Sequence, residues 1–186
     1  MTNTIVKRGM RKLKTDELGR PSIEQFKEQP KLPIALVLDN VRSMYNVGSV
    51  FRTADAFAVE KIWLCGITGR PPHREIEKTA LGATESVDWE YCKDIGQALD
   101  ALQLSGYRLM AVEQAHPSLP LQHFQPLPQD RYALVFGNEV NGVSQEALER
   151  VETCIEIPQF GTKHSLNIAV TAGILVWDYY LKRFNS

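Results

Sequence analysis

The chain has 186 residues, of which 44% are hydrophobic and 23% are charged, and its formal net charge is −1. This ordinary globular composition predicts one domain with a single well-buried core. The longest apolar stretch, residues 168–177, is too short to span a membrane, and the N-terminus has no apolar stretch typical of a secretory signal. The cysteines have no CxxC spacing, so they predict reduced thiols of a cytoplasmic protein rather than a disulfide frame or a zinc site: Cys65, Cys92 and Cys154.

Residues 1–31 differ from the rest of the chain in charge. They hold eight Lys or Arg residues and four Asp or Glu residues, a net charge of +4, which leaves −5 for the remainder. A basic segment on a mildly acidic body could bind a polyanion, and a solvated leader without such a role is the alternative. We therefore divide the chain into a basic leader, 1–31, and one domain, 32–186.

Short, nearly continuous apolar runs predict β-strands that are covered on both faces: 34–38, 61–65, 107–112, 132–136 and 154–157. Helical patterns alternate with them: 47–58, 95–105, 144–151 and 165–183. This alternation predicts an α/β domain with a mostly parallel sheet flanked by helices. Two connections are long: 67–93 contains a predicted short helix that ends at Ala80, and 114–131 carries four prolines and predicts an extended surface crossing.

The first candidate motif follows the first predicted strand. Asn46 is predicted to cap a helix whose apolar stripe includes Val50 and Phe51. Gly48 and Arg52 are four residues apart and share a face of that helix. A glycine in the first turn destabilises a helix by about 1 kcal/mol relative to alanine, which indicates a close contact there. Taken alone, the pattern also fits an N-cap followed by an ordinary surface arginine.

The second candidate motif is the loop that follows the predicted strand 132–136. Gly137 and Gly142 have the spacing of a nucleotide-phosphate loop, but Val143 replaces the lysine and Glu139 would place a carboxylate where phosphate oxygens belong. The sequence therefore argues against a phosphate loop. It leaves a ligand-binding loop at the carboxyl end of a parallel strand.

The third candidate motif precedes the last helix. Pro158 ends a strand, Gly161 permits a tight turn, and Ser165 is predicted to be the N-cap. A loop and a cap without further function is the alternative. No two of the four histidines have a metal-ligand spacing, so no metal site is expected: His73, His116, His123 and His164.

The three motifs in this order resemble those of the SpoU (TrmH-like) RNA 2′-O-ribose methyltransferases of the SPOUT superfamily. The resemblance rests on Asn46-x-Gly48-x-x-x-Arg52, on 136–142 and on 157–167, and it covers residues 34–182. It implies a SPOUT-type fold with a deep C-terminal trefoil knot, bound S-adenosyl-L-methionine and a homodimer. The excess of apolar residues in the last helix fits burial on two sides, including against a partner.

The resemblance also implies roles for individual residues. Those expected to bind the cofactor are Val112, Glu113, Gly137, Ile157 and Leu166. Those expected to form the catalytic face are Arg52, Asn46, Glu139, Ser165 and Asn167. Arg52 would act beside the cofactor of the other subunit, either as a general base or, because a guanidinium is not readily deprotonated, by holding a phosphate and stabilising alkoxide charge.

The expected function is transfer of a methyl group to a ribose 2′-hydroxyl of transfer or ribosomal RNA, with transfer RNA favoured. RNA would be bound by the leader and by the basic segment 70–78. The alternative is a non-catalytic RNA-binding or cofactor-sensing protein on the same fold. The sequence does not support a nucleotide-phosphate enzyme, because Val143 stands where a phosphate loop has its lysine.

Overall fold

A computed structural model describes residues 10–184 of the chain. Within that range, seven strands form one sheet in the order β3-β2-β1-β6-β4-β7-β5, and every neighbouring pair is parallel. The strands are β1 (Leu32–Asp39), β2 (Val59–Cys65), β3 (Trp89–Cys92), β4 (Tyr107–Val112), β5 (Leu119–Pro120), β6 (Arg131–Phe136) and β7 (Thr153–Glu156). The predicted α/β architecture with a parallel sheet is confirmed.

Helices cover both faces of this sheet. They are α1 (Ile23–Glu28), α2 (Met44–Ala56), α3 (Arg74–Ala80), α4 (Ala83–Ser86), α5 (Ile95–Leu104), α6 (Gln145–Leu148) and α7 (Ile168–Phe184). On one face, Leu36 of β1 packs with Phe51 of α2 and Leu175 of α7. On the other face, Val37 packs with Leu99 of α5. Because successive side chains of a strand point to opposite faces, β1 contributes to both layers of the core and is buried along nearly its whole length.

The predicted strands and helices lie where the apolar patterns indicated, and the main differences are in the long connections. The helix expected to end at Ala80 is α3. The apolar patterns did not predict α1 in the leader, α4 and β3 in the first connection or β5 in the second, since such short elements carry little periodic signal. The second connection is also more than a surface crossing, because Leu121 and Phe124 are buried.

The leader is described only from Met10 onward, so its first basic residues, Lys7 and Arg8, lie outside the described range. Ser22 caps α1 by accepting a hydrogen bond from the Gln25 backbone nitrogen. Phe26 on this helix is 5% exposed and belongs to the same apolar cluster as α2 and α7. The part of the leader after Ser22 therefore contributes to the core.

Among residues 10–184, no helix is long and apolar enough to cross a membrane. The cysteines of this range are free, and Cys65 and Cys154 are buried. Burial raises the pKa of the Cys154 thiol, which keeps the thiol protonated.

Candidate functional site

A cavity of about 740 Å³ opens at the carboxyl ends of β4, β6 and β7. Glu113 directly follows β4, Gly137 directly follows β6, and Ile157 directly follows β7. The cavity is lined by every predicted cofactor residue, namely Val112, Glu113, Gly137, Ile157 and Leu166, and by Glu139, Ser165 and Asn167 of the predicted catalytic set. The structure therefore brings together the end of β4 and residues of the second and third motifs, because parallel strands end at the same edge of the sheet.

The floor of the cavity depends on two glycines in the loop after β6. A Cβ added to Gly137 would lie 2.0 Å from the carbonyl carbon of Gly142 and from the backbone nitrogen of Val143. Gly142 has φ of +69°, and a Cβ there would lie 2.2 Å from an oxygen of Glu113. Only glycine permits this close return of the loop, which lets the Glu113 carboxylate accept a 2.9 Å hydrogen bond from Val143 nitrogen.

The charge of the cavity is negative. Three carboxylates line it, those of Glu113, Glu139 and Glu156, and no lysine or arginine of residues 10–184 does so. The apolar side chains of Val112, Ile157 and Leu166 lie among these polar groups. Such a cavity suits a ligand that combines a flat apolar ring with positive charge.

Glu139 connects the loop after β6 to the start of α2. Its two oxygens accept hydrogen bonds from the backbone nitrogens of Arg42 (2.9 Å) and Ser43 (3.0 Å) and from the side-chain nitrogen of Asn46 (2.9 Å). Burial by itself raises the pKa of this carboxyl, but the hydrogen bonds outweigh burial and hold the pKa below its ordinary value. Glu139 is therefore an ionised anchor for the first motif.

The caps of both motif helices differ from the sequence prediction. Asn46 does not cap α2; the hydroxyl of Ser43 does so, by accepting a hydrogen bond from the Asn46 backbone nitrogen. The α2 helix thus begins three residues earlier than the apolar stripe indicated, which frees the Asn46 side chain for Glu139.

Likewise, α7 begins at Ile168 rather than at 165, and Ser165 does not cap it. The side-chain oxygen of Asn167 accepts hydrogen bonds from the backbone nitrogens of Ala169 (2.9 Å) and Val170 (3.4 Å). The Asn167 side-chain nitrogen donates to the Asn46 oxygen at 3.0 Å. Asn167 therefore joins the cavity rim to Asn46 and, through it, to Glu139.

Two of the predicted catalytic residues, Asn46 and Arg52, do not line this cavity, and only Asn46 is hydrogen-bonded to residues that do. Arg52 is exposed and lines a separate, open depression of about 440 Å³ between α2 and α3, which we call the α2–α3 hollow. The close contact that Gly48 predicted is present, since a Cβ there would lie 2.2 Å from the carbonyl oxygen of Ile76 on α3. The glycine thus permits the packing of two helices.

Several residues that hold the site together were not predicted from the sequence. Asp39, 1% exposed, accepts a 2.9 Å hydrogen bond from the backbone nitrogen of Ser144. Asn138 donates to the carbonyl oxygen of Asn40 at 2.7 Å and accepts from the backbone of the following turn. Gln114 donates to the carbonyl oxygen of His164 at 2.6 Å. The signal available for Asp39 was a charged residue at the end of an otherwise apolar strand.

Known proteins with similar sequences are RNA methyltransferases. The sequence model of the SpoU rRNA Methylase family matches residues 33–177. A 23S rRNA (guanosine-2′-O-)-methyltransferase, RlmB, of Neisseria meningitidis is 31% identical over 144 residues, which are 77% of this chain and 56% of that protein. The chain spans 64% of the length of the first curated relatives it matches.

Two solved structures have a similar fold. A TrmH/SpoU tRNA modifying enzyme of A. aeolicus has a TM-score of 0.76 and 26% identity, with 88% of this chain and 81% of that chain covered. An AdoMet-bound rRNA methyltransferase of Sinorhizobium meliloti has a TM-score of 0.76 and 25% identity, with 84% of this chain and 59% of that chain covered. Because the family match spans most of the sequence and contains all three motifs, the chain belongs to the SpoU rRNA methylase family.

Proposed function

We propose that the chain is an S-adenosyl-L-methionine-dependent RNA methyltransferase that methylates a ribose 2′-hydroxyl of transfer or ribosomal RNA. The observation that carries the proposal is the acidic cavity at the carboxyl ends of β4, β6 and β7, whose rim holds the hydrogen-bonded chain of Glu139, Asn46 and Asn167. The Neisseria relative is named for guanosine 2′-O-methylation, which supports ribose as the acceptor. The A. aeolicus structure is that of a tRNA modifying enzyme, and we favour transfer RNA.

The residues of the cavity fit the cofactor in volume and in chemistry. Its volume lies within the ~300–1,000 Å³ that is usual for small-molecule sites. Apolar groups of Val112, Ile157 and Leu166 offer contacts for adenine, and the carboxylates of Glu113 and Glu156 oppose the positive charge of the sulfonium and amino groups. The backbone of Gly137 lies at the floor, where no side chain obstructs the ligand.

The protein has to align and polarise the reactants. When bound, S-adenosylmethionine would supply a methyl group on a sulfonium: the ribose 2′-oxygen would take the methyl group in line, the cofactor would be left as a neutral thioether, and the hydroxyl proton would pass to solvent. The Glu139 oxygens are engaged by three donors and the carboxyl has a lowered pKa, so Glu139 orients Asn46 and is a poor general base. Asn167 and Ser165 line the cavity where the ribose hydroxyls would bind, and Asn46 holds Asn167 in place by a hydrogen bond.

We propose that Arg52 binds a phosphate group of the RNA and stabilises the negative charge that develops on the ribose 2′-oxygen. Guanidinium groups in general are not readily deprotonated, which disfavours the general-base role. Since Arg52 lies apart from the cavity of its own chain, we propose that it acts at the cavity of a second subunit.

The proposed partner is a second copy of this chain, bound through α7. That helix buries one apolar stripe in the core and exposes another, which consists of Val170, Ile174, Trp177, Tyr180, Leu181 and Phe184. Trp177 and Tyr180 are stacked with ring centroids 5.6 Å apart, and Phe57 beside α2 packs against Trp177 at 5.9 Å. A contiguous exposed apolar patch of six side chains is typical of a subunit interface.

The C-terminal trefoil knot of the SPOUT fold remains a proposal for this chain. The hydrogen bond from Gln114 to His164 supports it, because it joins the connection after β4 to the segment after β7. A crystal structure in which the segment 157–167 passes outside the loop between β4 and β6 would contradict the proposed knot.

We propose that RNA binds to the leader 1–31 and to the segment 70–78. We also propose that the protein is cytoplasmic, because its cysteines are free. Arg70 lies over the Tyr91 ring at 4.4 Å, and Arg74 and Lys78 are exposed.

A non-catalytic RNA-binding or cofactor-sensing protein is less well supported, because such a protein has no need for the chain of hydrogen bonds from Glu139 to Asn167.

Two measurements test the proposal. Isothermal calorimetry with S-adenosylmethionine should show binding to the full chain, and absence of binding would overturn the assignment. Incubation of total RNA with the enzyme and methyl-labelled cofactor, followed by mapping of the modified nucleotide, should show label on a ribose 2′-oxygen. Label on a base, or cofactor binding without transfer to any RNA, would contradict ribose methylation.

A further inference from the structure

The α2–α3 hollow is formed by an unusually close approach of two helices. Thr79 donates to the carbonyl oxygen of Tyr45 on α2 at 3.0 Å, and Gly48 leaves room for the backbone of α3. This packing places Lys78 of α3 and Arg52 of α2 at one depression. The two cations come from distant parts of the sequence, and only the helix packing brings them together.

The charge of the hollow is the opposite of that of the cavity. No carboxylate of residues 10–184 lines it, and within the same range neither Arg52 nor Lys78 has an ion pair or a side-chain hydrogen bond. The neighbouring acids are engaged elsewhere: Asp55 accepts from Ser86 at 2.6 Å, and Glu77 accepts from Thr84 at 2.9 Å. Two like charges at one depression repel each other, and a bound anion would remove that repulsion.

Some of the hydroxyl groups at the hollow already donate hydrogen bonds within the protein, which limits the donors that remain for a ligand. Ser49 and Thr79 both donate to the carbonyl oxygen of Tyr45, at 2.8 Å and 3.0 Å, so their protons are used. Thr53 also lines the hollow and has no hydrogen bond from its side chain within the described residues. The donors left are therefore a planar guanidinium, an ammonium group and one hydroxyl.

We propose that the α2–α3 hollow binds one phosphodiester group of the RNA substrate and that Lys78 is the second cation of this site beside Arg52. The guanidinium can donate two parallel hydrogen bonds to phosphate oxygens, and the ammonium adds a compact charge. The acidic cavity repels the RNA backbone, so the phosphates are held at the hollow while the cavity receives the cationic cofactor. This inference rests on the proposed function and names Lys78 as a determinant of RNA binding.

The test measures binding of bulk transfer RNA by the full chain over a series of salt concentrations, for wild type, Lys78→Ala, Lys78→Arg and the control Lys93→Ala. Lys93 is exposed after β3 and lies outside the hollow. Loss of one phosphate contact should reduce the slope of log affinity against log salt by about 0.7–1 in Lys78→Ala. Lys78→Arg and Lys93→Ala should keep the wild-type slope. Cofactor affinity by calorimetry should be the same in all four proteins.

The outcomes separate this inference from the function on which it rests. If wild type binds and methylates RNA but Lys78→Ala keeps its affinity and slope, the hollow is not a phosphate site and the proposed function stands. If wild type binds no RNA, both proposals fall. A titration with inorganic phosphate, monitored by the backbone amide resonances of Arg52 and Lys78, tests whether the hollow binds free phosphate instead. If phosphate saturates the hollow and RNA affinity stays unchanged, the phosphodiester assignment is overturned.

Discussion

The side-chain amide of Asn46 donates a 2.9 Å hydrogen bond to Glu139, although 93 residues separate the two in the sequence. The oxygen of the same amide accepts a 3.0 Å hydrogen bond from Asn167. One side chain thus joins the start of α2, the loop after β6 and the N-terminus of α7. The geometry at the rim of the cavity depends on this bridge.

Replacing Asn46 with alanine should loosen the rim without unfolding the domain. A hydrogen bond to a charged group contributes about 1.5 kcal/mol, so we expect a loss of unfolding free energy of that order. Turnover should fall while cofactor affinity stays near that of wild type, because Asn46 does not line the cavity. Urea unfolding, calorimetry and methyl transfer measure the three quantities. Wild-type turnover in Asn46→Ala would show that the bridge has no role in catalysis.

The lowered pKa of Glu139 predicts a dependence of stability on pH. Its pKa in the folded chain lies below the ordinary value of 4.5. The ionised carboxylate therefore stabilises the fold above pH 4.5, and this contribution is lost as the pH falls through the folded value. Wild type should lose unfolding free energy more steeply than Glu139→Gln below pH 4.5. Parallel acid profiles from denaturant unfolding would contradict the prediction.

Gly137 should tolerate no side chain. The Cβ of Gly137→Ala would lie 2.0 Å from backbone atoms of Gly142 and Val143, so the loop must move, at an expected loss of about 1–3 kcal/mol. Cofactor affinity should fall with it, because the loop forms the floor of the cavity. Gly161→Ala is the matched control, since a Cβ there meets no atom within 4 Å. Equal thermal melting and cofactor affinity in both variants would show that the loop is not constrained at Gly137.

Replacing Arg52 with alanine should greatly reduce methyl transfer and leave cofactor binding unchanged. We expect a loss of turnover of about 10²–10³-fold, the usual effect of removing one group that stabilises transition-state charge. Arg52 is exposed and outside the cavity, so thermal stability and cofactor affinity should not change. Steady-state kinetics and calorimetry check this. Unchanged turnover would remove Arg52 from the catalytic set.

A charge in the exposed stripe of α7 should separate the proposed dimer. Trp177 is 49% exposed and stacked on Tyr180, so Trp177→Glu should yield a folded monomer by sedimentation. Transfer should be lost with the dimer, because Arg52 would no longer reach a cavity. Leu104→Glu is the control: Leu104 is 91% exposed at the end of α5, away from α7. A wild-type chain that sediments as a monomer and still methylates RNA would refute the dimeric site.

Sequence patterns predicted most accurately the features that are local along the chain. Apolar runs located β1, β4 and β6 because these strands are buried on both faces. The predicted cap of α2 was wrong, because Ser43 and Asn46 are both competent cap residues and only packing selects between them. The predicted cofactor residues do line one cavity, since three strand ends converge at one edge of the sheet.

By itself, the sequence determined the α/β class, the order of the three motifs and the family, because periodicity and spacing are properties of the chain. Only the tertiary structure decided which groups meet. It tied Asn46 to Glu139 and Asn167, made the cavity acidic, and placed Arg52 beside Lys78 in a hollow of its own. These relationships depend on the order of the strands in the sheet and on how closely two helices pack at Gly48. Both are contacts between residues that are distant along the chain, and sequence patterns describe only neighbouring residues.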